Sequence, residues 1–214
     1  MKKGFTLIEL LVVVAIVALL LAVIMPVLGK VREGAKITAV GAELYTIGLA
    51  LEAYGLDNEE KFPPTRASCM IQSHFHQLPD ELVAGKYLPD RPKKYGPMST
   101  AFEDRFNPDH TYKYHAVGDL IMNMGSRAMK NRSKLWVPDG FPEVEKEDGA
   151  FYNDPKTSPV TWVVYSPGPN FDENDPAIMR MRYPVPSGTW YNPSKRKGCI
   201  TRVRLIKGRH VGSF

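Results

Sequence analysis

The chain has 214 residues and a net charge of +5. That length holds one domain, or one domain plus an anchor, and the two cysteines, Cys69 and Cys199, lack the spacing of a metal-binding set. The apolar residues are unevenly spread: every position from Leu10 to Met25 is apolar, whereas the chain beyond its first thirty residues reads as a polar globular protein.

The chain opens MKKGFTLIELLVVVAIVALLLAVIMPVL. A membrane-crossing helix needs about 20 mainly apolar residues. Phe5 to Leu28 meets that length, with Thr6, Glu9 and Pro26 as exceptions. A secretory signal would need a small-residue cleavage site after the apolar run, and PVLGKVREGAK offers none that convinces. Lys2 and Lys3 predict a cytoplasmic N-terminus with the rest outside; Lys30, Arg32 and Lys36 beyond the run pull the other way.

Glu9 is the informative exception. An ionised group within a bilayer costs roughly 2.5–3.5 kcal/mol at the centre and less near an end, and its default reading is functional. No base lies one turn away, because Phe5 and Val13 are both apolar. Cleavage after Gly4 would give Phe5 a free ammonium, a partner for Glu9 of the same or a neighbouring chain. The alternative is a carboxylate that sits at the interface and snorkels.

The segment KGFTLIEL followed by an apolar helix resembles the leader of type IV pilins and type II secretion pseudopilins. The resemblance implies cleavage between Gly4 and Phe5 by a prepilin peptidase, methylation of the new amino terminus, and a role in subunit assembly for Thr6 and Glu9. Pro26 falls where many members of that family carry a helix-kinking proline. The implied divisions are a leader at 1–4, a long helix at 5–57 that crosses the membrane over about 5–28, and a globular domain at 58–214.

After Pro26 the helical pattern continues. Leu28, Val31, Ala35, Ala39, Ala42, Thr46, Leu49 and Ala53 form one stripe, and Val40, Leu44, Ile47, Leu51 and Tyr54 a second. Together they predict a broad apolar face. Gly55, Asp57-Asn58 and Pro63-Pro64 are stop signals. Pro26 should loosen the helix, since it removes a backbone donor. Gly34, Gly41 and Gly48 are seven apart and read either as a place where another backbone comes close or as tolerated weak positions.

YGLDNEEKFPP is similar to the helix exit of major pseudopilins, and LPDELVAGKYLPD to their second short helix. Residues 89–110 read as a loop. HTYKYHAVGDL, VTWVVYS and CITRVRLIKG read as strands, the last with Arg202 and Arg204 on one face. Strands gathered after a long helix give an α+β fold. The pilin-like form of it has the helix packed on a domain with a small antiparallel sheet.

Charge is divided late in the chain. Asp139 to Asp175 holds nine acids and two bases, and Pro176 to Phe214 nine bases and no acid. Such asymmetry can mark a nucleic-acid tail. The alternation of bases with Val203 and Leu205 favours a strand lying near the acidic segment, so nucleic acid is not the expected partner.

SPGPNFDENDPAIM carries Asn170, Asp172, Glu173, Asn174 and Asp175. Major pseudopilins bind calcium in a loop of the C-terminal sheet, and YSPGP resembles the approach to it. Asp172 and Asp175 are the candidate ligands, although the family's regular Gly-Asp spacing is missing; a solvated acidic turn is the competing reading. His74-x-His76 reads as a surface pair. An exported domain would permit a Cys69–Cys199 disulfide.

No hydrolase or phosphate-binding motif is present, and no enzyme is expected. The resemblance implies a structural subunit of a type II secretion pseudopilus, homo-oligomeric in a filament with other pseudopilins. Its implied partners are the prepilin peptidase, an inner-membrane assembly platform and an assembly ATPase. The implied location is the bacterial inner membrane, with the globular domain periplasmic or on an extracellular filament. A type IV pilin for adhesion or DNA uptake, and a tethered binding module that never polymerises, are the alternatives.

Overall fold

The computed structural model describes residues 6–67, 77–91, 100–122, 125, 127–169 and 185–213. The chain divides into two compact units, Met1–Thr38 and Ala39–Phe214. Helix α1 spans Leu7–Asp57, 51 residues. In the first unit it is the whole of the described structure, and its apolar side chains stand exposed from Leu7 to Val31. Val12, Val13 and Val14 are β-branched and poor helix formers in water. A lipid solvent reverses that weakness, since there only a helix or a closed barrel satisfies every backbone donor and acceptor. Pro26 lies inside the helix, which runs on through it. Its missing donor leaves the Ala22 carbonyl without the usual partner four residues on.

The second unit begins within α1 and continues with β1 (Thr65–Ala67), α2 (Asp80–Ala84), β2 (Lys113–Ala116), β3 (Gly118–Met122), β4 (Met129–Ser133), β5 (Leu135–Pro138), β6 (Gly149–Tyr152), β7 (Val160–Ser166), β8 (Ile200–Leu205) and β9 (His210–Gly212). The α+β class is as expected. The expected sheet is antiparallel, in the order β2-β7-β8-β9, and two smaller sheets accompany it: β1-β3-β4, whose β1–β3 pair is parallel, and the ribbon β5-β6.

Strand β7 explains the layering. Val160, Trp162, Val163 and Val164 are all fully buried, so this strand is covered on both faces. Side chains alternate across a strand. On one face Val163 joins Val160, Val203 and Leu205 in a cluster with Leu135, Val137 and Phe141 of the ribbon and its turn. On the other face Trp162 and Val164 pair in register with Arg204 and Arg202. That face receives the C-terminal half of α1: a Cβ on Gly48 would lie 2.6 Å from Arg202 Nε and 3.5 Å from the Trp162 ring. The sheet therefore lies between helix and ribbon.

Of the two apolar stripes read along the helix, the fold buries the second. Val40, Leu44, Ile47 and Leu51 are 0–2% exposed. In the first stripe Ala42, Thr46, Leu49 and Ala53 stay exposed. One sheet covers only one side of a helix of about 10 Å diameter. The glycine reading divides as well: nothing approaches Gly34 within 4 Å, whereas Gly48 faces the Arg202 and Trp162 side chains rather than a backbone. Gly168, in the YSPGP turn, has φ +74, and a Cβ there would meet the Gly198 carbonyl oxygen at 2.3 Å. Only glycine fits that position.

A buried polar knot joins the sheets at His115. The Ser133 hydroxyl lies 3.1 Å from His115 Nε2 and donates to the Ala116 carbonyl at 2.5 Å, while Thr65 Oγ1 accepts from the Ala116 amide at 2.9 Å. Burial pushes the His115 imidazole down to about 3. The folded state holds it neutral, whereas the unfolded chain takes a proton near pH 6.5. Stability from this group is full above pH 6.5 and is lost as pH falls from there toward 3, at about 1.4 kcal/mol per pH unit. His210, also held down by burial, adds a loss of the same sign. Urea unfolding of the full chain in detergent micelles should show the loss between pH 7 and pH 5, and His115→Gln should flatten it. A His115→Gln chain with the wild-type pH slope would refute this assignment.

Candidate functional site

The start of α1 is built as a cap. Thr6 precedes the helix, its hydroxyl accepts from the Glu9 amide at 3.3 Å, and Glu9 Oε2 accepts from the Thr6 amide at 2.9 Å and the Thr6 hydroxyl at 2.8 Å. This is a capping box, in which two otherwise orphaned helix-end donors are satisfied reciprocally. The T-x-x-E spacing of Thr6 and Glu9 is its sequence signal, a role that the charge of Glu9 alone does not reveal. Both bonds fall on Oε2. Oε1 carries none among the described residues, so the box and an external cation can be served by one carboxylate. The positive end of the helix dipole favours the acid at this position.

Gly4 and Phe5 lie outside the described residues, as do Cys69, His74, His76, Asp172 and Asp175. Cleavage at Gly4–Phe5, the calcium reading and the disulfide therefore stay expectations. Cys199 is buried at the head of β8. No group of three or more His, Cys, Asp or Glu side chains able to hold a metal occurs among the described residues.

The C-terminal half of α1 is fixed by two acids that the helical pattern places outside the apolar stripes. Glu43 accepts from Arg105 and from the Tyr112 hydroxyl. Burial, followed by the Glu43 carboxylate, raises the Tyr112 hydroxyl well above its ordinary range. Glu52 accepts from Arg204 Nε at 2.7 Å and lies 2.9 Å from His210 Nε2. Arg204 also reaches Glu60 at 3.1 Å and the Thr161 hydroxyl at 3.3 Å, and its guanidinium lies over the Phe62 ring. Arg202 stacks over Tyr45. The basic face of β8 is thus turned inward onto the helix. Among the described residues its acids come from α1 and its exit; from the later acidic segment Glu143 reaches Arg209, at 2.7 Å. The pairings of Arg204 and His210 join residues about 150 positions apart, beyond the reach of any local pattern in the sequence.

The family described as the prokaryotic N-terminal methylation motif matches residues 1–25. Two curated proteins resemble the chain locally. The type IV wide pilus major component PilA4 of Thermus thermophilus is 50% identical over 56 residues, 26% of this chain and 43% of that protein. The type II secretion system core protein G of Pseudomonas aeruginosa is 40% identical over 57 residues, 27% of this chain and 40% of that protein. The match spans about two fifths of each relative's length. No solved structure matches. Residues 1–25 thus carry the prokaryotic N-terminal methylation motif, at the head of a pilin-like α+β chain related over about a quarter of its length to a pilus subunit and a secretion-system core protein.

Proposed function

We propose that the chain is a structural filament subunit of a type II secretion pseudopilus, processed between Gly4 and Phe5 and assembled through α1. The observation that carries this reading is the junction of two features. A capped helix start holds an acid, Glu9, and the helix that follows exposes an apolar surface from Leu10 to Leu28. Such a surface is stable only in lipid or against other helices of its kind, since monomeric soluble proteins rarely expose large contiguous apolar patches.

Assembly follows from these parts. Cleavage gives Phe5 an ammonium. A neighbour placed in register offers that ammonium to Glu9, and a misplaced one leaves a carboxylate unpaired in a low dielectric. The prepilin peptidase, the inner-membrane platform, the assembly ATPase and the exported position of the globular domain enter as partners and location by likeness to the family. A calcium ion at Asp172 and Asp175 belongs to the same proposal. The local identity to a type IV pilus component supports a second reading, a type IV pilus subunit with the same helix physics.

The test is intact and N-terminal peptide mass spectrometry of the protein from its native membrane. A chain beginning at Phe5 with one added methyl is the expected result. Retention of Met1, or a cut beyond Met25, overturns the proposal.

A further inference from the structure

The β5-β6 ribbon carries opposite charges at its two ends. At one end, β4 and the residue after it present Lys130, Arg132 and Lys134, with Arg127 just before; all four are exposed. None has an acid within ion-pair distance among the described residues. Arg132 and Lys134 line a cleft of about 390 Å³ together with Leu120, Met122, Met129 and Asn131. The Asn153 side chain, just past β6, closes this end by donating to the Asn131 carbonyl at 3.1 Å.

At the other end, beyond the Pro138–Gly149 pair, the β5–β6 turn presents Asp139, Glu147 and Asp148 with one base, Lys146, among them, all exposed. Between the acids stands Val144, 60% exposed although apolar. Four residue pairs separate the two ends. At about 3.4 Å per residue that is on the order of 13 Å, too far for an ion pair within one chain.

We propose that the cleft beside β4 receives the β5–β6 turn of a second copy of this chain, with Val144 seated among Leu120, Met122 and Met129 and the acids of the turn facing Lys130, Arg132 and Lys134. Both halves of the contact are on the molecule, and they match in sign and in apolar content. They are different surfaces, so the contact is head-to-tail. A contact of that kind propagates in an open array instead of closing a dimer. The inference rests on the filament reading and gives it an interface in the globular unit. A nucleic-acid backbone would account for the cations but not for the apolar cleft floor or the exposed valine.

The test places a photo-reactive benzoylphenylalanine at Val144 of the full chain, in the membranes of cells producing light and isotopically heavy copies. The expected product is a light–heavy cross-link into the peptide holding Leu120, Met122 or Met129. Lys130→Glu with Arg132→Glu should lower its yield roughly tenfold, and adding Glu147→Lys with Asp148→Lys should restore it, since like charges across a contact repel and exchanged ones attract. Restoration could not come from a misfolded chain. Cross-links confined to one chain, cross-links to nucleic acid or another protein, or a yield indifferent to the reversals would overturn the contact. Filaments that assemble normally with Lys130→Glu and Arg132→Glu would sink this contact and leave the filament reading standing. A wild-type chain that stays monomeric in the membrane would sink both.

Discussion

Glu9→Gln is expected to abolish incorporation into filaments while leaving the helix cap intact. Glutamine serves at the third position of a capping box as glutamate does. The Thr6 amide and hydroxyl therefore keep an acceptor at the place where Glu9 Oε2 now stands. What is lost is the charge. Leaving one member of a buried pair without its partner costs on the order of 3–5 kcal/mol. At 1.4 kcal/mol per tenfold, that is a fall of roughly 100-fold or more in assembled subunit. Glu9→Ala should fall as far, with a further cost of about 1 kcal/mol from the broken cap. Thr6→Ala should show only that smaller cost. The measurement is the ratio of filamentous to membrane-held protein after shearing. Wild-type assembly by Glu9→Gln, together with failure of Glu9→Ala, would reassign Glu9 to capping alone.

The second large effect is expected at Glu52. Arg204 is 6% exposed, and its guanidinium is divided among Glu52, Glu60 and Thr161. Glu60 is largely exposed at its side chain and screened by water, so Glu52 is the partner that offsets burial of the cation. Glu52→Ala should destabilise the full chain by roughly 3 kcal/mol, read from urea unfolding in detergent micelles. Arg204→Lys should also be costly, because one ammonium cannot reach three acceptors in different directions. The double replacement Glu52→Leu with Arg204→Met should cost less than the sum of its parts, since it removes both charges together. A loss below about 0.5 kcal/mol for Glu52→Ala would show that the network contributes no more than a surface pair.

The N-terminal region was legible in the sequence because its physics is local. Composition and length define an apolar helix wherever it lies; the T-x-x-E cap is equally local, but a carboxylate beside an apolar run reads first as a charge, and the structure supplied its second role. The strands read from HTYKYHAVGDL, VTWVVYS and CITRVRLIKG lie at β2–β3, β7 and β8, since their alternation and β-branched content are likewise properties of a short window. Strands β4 and β6 carried no such pattern: β4 exposes four of its five residues, and β6 is largely exposed. They are strands because a partner pairs with them.

What only the tertiary structure decided concerns choices between equivalent local options. Two apolar stripes run along α1, and the sheet covers one. Glycines share a spacing along the helix, yet nothing approaches Gly34, whereas Gly48 is pressed by Arg202 and Trp162. Nine late bases could have formed a cationic tail, yet Arg204 is enclosed by acids some 150 residues earlier in the chain. Periodicity states which residues share a face of one element. It does not state which other element, far off in sequence, comes to lie against that face, because that follows from the balance of all the surfaces buried at once.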